Sequence, residues 1–218
     1  MGGSIKAYLH LMRMKNVVLA SITVPLGAQF ATGDSWISSQ LEEVIAQIFA
    51  VIFFIGAGNT MNDIKDVEID REAHPDRPLA SGAISIKSAQ KFVKVLWMLS
   101  IICLAIGAYL LYESGNSIIE LLSIYFIAVT LMLTYDHGPE LKNTGLVGNI
   151  SISIMVGAVI LYGASSVGHV WTTLVWWTAG VVFFANLARE IIKDCQDMEA
   201  DEGAVSYTHL RAHETKRN

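Results

Sequence analysis

Six stretches of the chain, 16–33, 41–61, 91–112, 117–134, 146–163 and 171–192, are almost wholly apolar and are separated by short polar segments. Each is close to the roughly 20 residues with which an α-helix crosses the hydrocarbon core of a bilayer. In lipid the backbone must satisfy its own hydrogen bonds, so the pattern predicts six transmembrane helices. The opening "MGGSIKAYLHLMRMK" is basic but runs into a full-length apolar segment without a small-residue cleavage site, which reads as a retained helix. Lys6 stands where a myristoylation signal needs Ser or Thr.

Composition agrees with this setting and excludes an ordinary soluble domain. The 218 residues are 53% hydrophobic and 16% charged, with a mean hydropathy of +0.46. The charges are sorted by side. Lys6, Arg13 and Lys15 precede the first span; Lys65, Arg71, Arg77, Lys87, Lys91 and Lys94 lie between or at the ends of the second and third; Lys142 lies between the fourth and fifth; Arg189, Lys193, Arg211, Lys216 and Arg217 come at or after the end of the sixth. The intervening loops "GDSWISSQLEE", "YESGNS" and "GASSVGH" carry no Lys or Arg. All 15 basic residues thus fall on one side, and the positive-inside rule makes that side, with the N-terminus, cytoplasmic in a multi-pass protein of the cell membrane. The net charge of −5 therefore points to no partner.

Several chemistries find no support. Cys103 lies within the third span and Cys195 near a cytoplasmic helix end, a poor setting for a disulfide. The six histidines show no zinc-like spacing. No glycine-rich phosphate loop and no basic patch interleaved with aromatics is present, so no nucleic-acid partner is expected, and no protein partner is indicated. Small residues within the spans, Gly56, Ala57, Gly58, Gly157 and Ala158, read as places of close helix packing.

The candidate chemistry sits at the cytoplasmic helix ends. In "NDIKDVEID", Asn62, Asp63, Asp66 and Asp70 share a helical arc of about 100°, while Glu68 points away. In "REIIKDCQDMEAD", Asp194, Asp197 and Asp201 lie within roughly 60° of one another. Carboxylates so dense repel one another unless they hold cations, and hard oxygen donors at i, i+3 or i, i+4 suit Mg2+, which shares its shell with phosphate oxygens. Two acidic helix ends on one side make a cradle for a diphosphate, with Arg77, Lys142, Arg189 and Lys193 as candidates for its remaining oxygens. A single acidic run is as readily a solvated helix end; a matched pair is not. Arg77 and Lys142 also serve as topology determinants, and Tyr135 and Asn149 read equally well as interfacial and helix-capping residues.

"NDIKDVEIDREAHPDRPLASG" resembles the first aspartate-rich motif of the UbiA-type intramembrane prenyltransferases, and "DCQDMEAD" resembles their second. "LKNTGLVGN", "LAREIIKD", "MRMKN" and "EADEGA" are similar to the archaeal branch that makes digeranylgeranylglyceryl phosphate. The resemblance runs from about residue 5 to Ala204. It implies an all-α bundle of transmembrane helices around a cavity. It also implies Mg2+ held by Asn62, Asp66, Asp70, Asp197 and Asp201, with Asp63 and Asp194 assisting. The implied substrates are a prenyl diphosphate and a lipid-phosphate acceptor.

The family pattern has about three more spans after its second motif, so the expectation is about six of roughly nine spans, with 1–204 a partial membrane domain. "VSYTHLRAHETKRN", 205–218, differs from the family continuation, and its composition predicts no packed helix, so it reads as a non-native or disordered tail. Such a chain would be inactive if its cavity wall were incomplete. Two other functions fit part of the pattern: transfer to an aromatic or porphyrin-type acceptor, and divalent-cation transport. Transport asks for carboxylates near the membrane midplane, where these spans carry almost none.

Overall fold

The computed structural model describes residues 4–136, 141 and 144–214, with the side chains of the last helix given to Gln196. Its described residues form helices and no strand: α1 (Ile5–Leu11), α2 (Met14–Thr32), α3 (Ser35–Ser39), α4 (Leu41–Lys65), α5 (Val67–Ala73), α6 (Ile86–Glu113), α7 (Ile119–Asp136), α8 (Leu146–Ser165) and α9 (Thr173–Glu214). The six long helices occupy the six apolar stretches. By length and composition α4, α6, α8 and the Thr173–Gln196 part of α9 can each cross a membrane, and α7 is apolar over the shorter run Ile119–Tyr135. In α2 the apolar face is interrupted by Pro25, and Lys15, Asn16 and Gln29 lie near its ends.

Local chemistry sets the breaks. Ser85 caps α6, its Oγ accepting from the Ser88 amide at 3.2 Å, which starts this helix at Ile86, five residues before the apolar run. Gly33, Gly115 and Gly168 take positive φ in the connections opposite the acidic motifs, where residues with a Cβ are disfavoured.

Packing is closest where side chains are smallest. A Cβ on Gly27 of α2 would stand 2.2 Å from the Ile160 carbonyl oxygen of α8, and one on Gly163 would stand 2.1 Å from that of Val24. Backbones in this contact approach without intervening side chains, the usual way for helices to associate in lipid. The glycines expected to pack do so as well: Gly56 against Met12, Gly58 against Met132 of α7, and Gly157 against the Ala179 carbonyl of α9. Thus α4 packs on α6 and α2, while α9 packs on α8 and α2.

Large apolar side chains stay on the outside, among them Leu19 at 70% exposure and Phe126 at 71%. The interior instead holds a polar knot. Gln47, fully buried on α4, accepts from the Tyr162 hydroxyl and donates to the Leu104 carbonyl; Ser100 donates to the Ala50 carbonyl and shares a hydrogen bond with Tyr125. Around this knot the buried residues are mostly apolar, Leu104, Leu111, Leu121 and Ile160 among them, so the polar groups satisfy one another inside a bundle that is apolar outside, as lipid as solvent requires.

The segment after Ala204 departs from expectation, since its backbone continues α9 as a helix through Glu214. A helix already nucleated extends at the cost of fixing one residue for each new hydrogen bond. Leu210, Arg211 and Ala212 are good helix formers. Residues 215–218 lie outside the described residues.

Candidate functional site

The first acidic motif straddles the junction of α4 and α5. Asp66 ends α4 with φ −89° and ψ 9°, and α5 begins at once, so the backbone bends there while the amides of Asp66 and Asp70 keep their bonds one turn back. The Asp66 amide donates to the Asn62 carbonyl at 2.9 Å, the Asp70 amide to that of Asp66 at 2.8 Å, and the His74 amide to that of Asp70 at 2.8 Å. Asn62, Asp66 and Asp70 are therefore placed one helical turn apart along one line. Glu68 leaves that line and pairs with Arg71 at the surface, 2.6 Å away.

Two arginines neutralise the acids that face inward. Asp63, 3% exposed, accepts from Arg13 Nη2 at 2.6 Å. Asp70, 5% exposed, takes Arg77 Nη1 on both carboxylate oxygens at 2.6 and 2.7 Å. The same Nη1 lies 4.0 Å from Asp63, which links the two pairs. Burial works against the Arg77 charge, but its hydrogen bond to Asp70 and the charges of Asp70, Asp63 and Asp66 outweigh it and hold its pKa above the usual arginine value. Arg77 stays charged, and only Nη1 of its fork is used in these contacts. Arg77 is thus more than a topology determinant.

Arg13 carries the signature of a residue held in place. It separates α1 from α2 with φ 56° and ψ 59°, the one described non-glycine residue at positive φ, a conformation that side chains with a Cβ adopt at a cost. Asn59 of α4 fixes the adjoining peptide, its Nδ2 donating to the Met12 carbonyl at 2.8 Å. Sequence reasoning gave Arg13 a topological part and a place in the "MRMKN" resemblance but no role in the site, and it passed over Asn59. A basic residue before a first span is what membrane orientation already requires, so no local spacing tied Arg13 to Asp63.

The second motif lies on α9. Asp194 accepts from Asn149 Nδ2 of α8 at 2.6 Å. Ser153 Oγ donates to the Asn149 carbonyl at 2.6 Å and accepts from Asn186 Nδ2 at 3.0 Å, so this polar chain laces α8 to α9. Asn149 is not the cap of α8, a place taken by Gly145. Arg189 and Lys193 are exposed, Arg189 pairing with its neighbour Glu190. Asp197 and Asp201 follow Asp194 on the same helix, their side chains outside the described part, and Lys142 lies outside the described residues. Tyr135 lies in the last turn of α7, half-buried.

The structure therefore brings Asp63, Asp70 and Arg77 together with Arg13, and Asp194 together with Asn149. The helices bearing the two motifs share α2 as a common neighbour. Among the described residues no three His, Cys, Asp or Glu side chains are grouped to hold a metal ion. The donor chemistry along the first line, an amide oxygen followed by two carboxylates, nevertheless suits a hard cation in place of zinc.

Comparison with known proteins covers most of the chain. The family described as the UbiA prenyltransferase family matches residues 20–212. A digeranylgeranylglyceryl phosphate synthase of Methanococcus aeolicus is 33% identical over 207 residues, covering 93% of this chain and 67% of that protein. One of Pyrococcus furiosus is 34% identical over 206 residues, covering 94% and 68%. A solved structure concerning digeranylgeranylglyceryl phosphate synthase in membranes superposes with a TM-score of 0.74 at 31% identity, covering 91% of this chain and 65% of that one. A UbiA homolog from Archaeoglobus fulgidus bound to GPP and Mg2+ shares the fold, with a TM-score of 0.63 at 18% identity over 90% and 65% of the two chains. The chain thus spans about two thirds of the length of the relatives it matches.

Proposed function

Because this chain belongs to the UbiA prenyltransferase family, we propose that it transfers a geranylgeranyl group from geranylgeranyl diphosphate to the free hydroxyl of geranylgeranylglyceryl phosphate, within the cell membrane and with both motifs on the cytoplasmic side. The observation that carries this reading is the Asn62–Asp66–Asp70 line set one turn apart beside two buried carboxylate–arginine pairs. Relatives at 33% and 34% identity named digeranylgeranylglyceryl phosphate synthase support the choice of acceptor.

In the transfer, the allylic carbon–oxygen bond of the donor breaks with its electron pair passing to the diphosphate. The acceptor oxygen then forms the new ether bond, and its proton passes to the released diphosphate. Asn62, Asp66, Asp70, Asp197 and Asp201 would hold Mg2+, whose chemistry when bound is to supply positive charge to the departing diphosphate. The remaining steps belong to the chain. Asp70 fixes one nitrogen of Arg77 through both carboxylate oxygens, which turns the other donors of a rigid fork toward a phosphate. Arg13 cancels the charge of Asp63, so that residue does not repel the incoming diphosphate. Asn149 orients Asp194 at the head of the second motif, and Lys142, Arg189 and Lys193 add positive charge for the leaving group. The apolar helix faces receive the isoprenoid and keep water from the cationic carbon.

The test is transfer of labelled geranylgeranyl diphosphate by the full chain in bilayers with Mg2+, offered the glyceryl phosphate lipid or an aromatic acid in parallel. The expected product is the diether lipid, lost by at least a hundredfold in Asp66→Ala and in Asp197→Ala and on chelation of Mg2+. Faster prenylation of the aromatic acid would overturn the acceptor, and undiminished turnover in either variant would overturn the role of the motifs.

A further inference from the structure

The first turns of α6 carry a second charged feature that the transfer site does not use. Lys87, Lys91 and Lys94 are all exposed and lie within an arc of about 60°. None of the three makes an ion pair among the described residues. Orientation in the membrane asks for basic residues on this side but not for three on one face. Beside them α4 and α6 flank an open, shallow groove of about 520 Å³ lined by Met61, Ile64, Gln90, Val93, Lys94 and Trp97. Trp97 is held in its wall, with Nε1 3.4 Å from Met61 Sδ and its ring edge-on to Phe54 at 5.5 Å. Lys94 is where the lysine face meets the groove.

Met61 and Ile64 sit roughly 150° around α4 from Asn62 and Asp66, so the groove faces away from the acidic line. We propose that the lysine face of α6 and this groove bind one anionic, phosphate-bearing lipid of the surrounding bilayer, at a site separate from the transfer site. Charge complementarity selects the headgroup: three cations and the Gln90 amide stand at the membrane surface without acidic partners. The lining selects a lipid over a soluble anion, since Met61, Ile64, Val93 and Trp97 offer apolar surface that only an attached hydrocarbon chain can use. The size argues against a protein partner, because the groove holds a headgroup and a few chain carbons, whereas a stable protein contact covers about 800 Å² on each side.

The experiment titrates the purified full chain in detergent with phosphatidylglycerol or phosphatidylcholine and counts bound lipid by native mass spectrometry. The wild type is expected to retain one phosphatidylglycerol about a hundredfold more tightly than phosphatidylcholine. At about fivefold per lysine, the K87Q/K91Q/K94Q variant is expected to bind phosphatidylglycerol roughly a hundredfold more weakly, with phosphatidylcholine unchanged. The K6Q/K15Q/R71Q variant removes the same charge from the same end and is expected to bind as the wild type does. All six positions apart from Arg71 carry lysine, and glutamine replaces Lys or Arg on a helix with little loss of propensity, so folding is checked by equal helix content. An equal loss in the control variant, absence of lipid preference in the wild type, or displacement of the lipid by inorganic phosphate at millimolar concentration would each overturn the proposal.

Discussion

Arg13 and Asp63 show how much one buried carboxylate dictates. Asp63 is held at the protein interior by the helix that also presents Asn62 and Asp66, and its charge is tolerable there because Arg13 reaches it at 2.6 Å. Removing one partner leaves the other uncompensated, at a cost of about 1.5–3 kcal/mol for a hydrogen bond between charged groups; the one-third exposure of the Arg13 side chain places the effect toward the lower end. Arg13→Gln and Asp63→Asn are each expected to lower unfolding stability in detergent, and the double variant to lose less than the sum by at least about 1 kcal/mol. Additive effects would show that the pair is not coupled. The sequence displayed the carboxylates and Arg77 because they are dense and regularly spaced. It hid Arg13 and Asn59, whose roles depend on a backbone turn of φ 56° and on contacts made across 50 and 47 residues of chain. No local spacing encodes such contacts.

At the scale of elements, long apolar runs were the readable part, because a 20-residue segment in lipid has no alternative to a helix. Their ends were less readable. α6 begins at Ile86 because Ser85 caps it, and this extra turn joins Lys87 to the face of Lys91 and Lys94. The closest helix contact was also unlegible in advance: Gly27 and Gly163 are unremarkable in sequence, yet a Cβ on either would meet a carbonyl oxygen of the facing helix at 2.2 or 2.1 Å. Backbone atoms cannot step aside as a flexible side chain can. Gly27→Ala and Gly163→Ala are therefore expected each to destabilise the bundle by about 1–3 kcal/mol, read as a lowered unfolding midpoint in detergent. Gly180→Ala is the control, since nothing lies within 4 Å of the position its Cβ would take. Equal midpoints for Gly27→Ala and Gly180→Ala would mean that α2 and α8 are not in this tight contact.

For the whole molecule, the two ends of the bundle differ in kind, and the difference predicts how the protein lies in its membrane. One end gathers Arg13, Asp63, Asp70, Arg77, Asp194 and the lysines of α6. The other carries Trp36, Trp171, Trp176 and Trp177, with the rings of Trp171 and Trp176 stacked at 5.7 Å and Trp36 donating to Gln29 at 2.9 Å. It is closed by Gln40, which donates to the Val167 carbonyl at 3.2 Å. Tryptophan is favoured at the membrane–water boundary on either side, whereas lysine and arginine are retained on the cytoplasmic side. The asymmetry in basic residues therefore predicts a cytoplasmic basic end, and the tryptophans would mark only where the opposite boundary lies. Cys195 is exposed at the basic end and Ser38 is exposed at the other, so the two positions report opposite faces. In a Cys103→Ala background, a membrane-impermeant maleimide applied to intact cells is expected to label Ser38→Cys and to spare Cys195 until the membrane is opened. Labelling of Cys195 in intact cells would reverse the orientation and put the acidic motifs outside, away from any cytoplasmic supply of prenyl diphosphate.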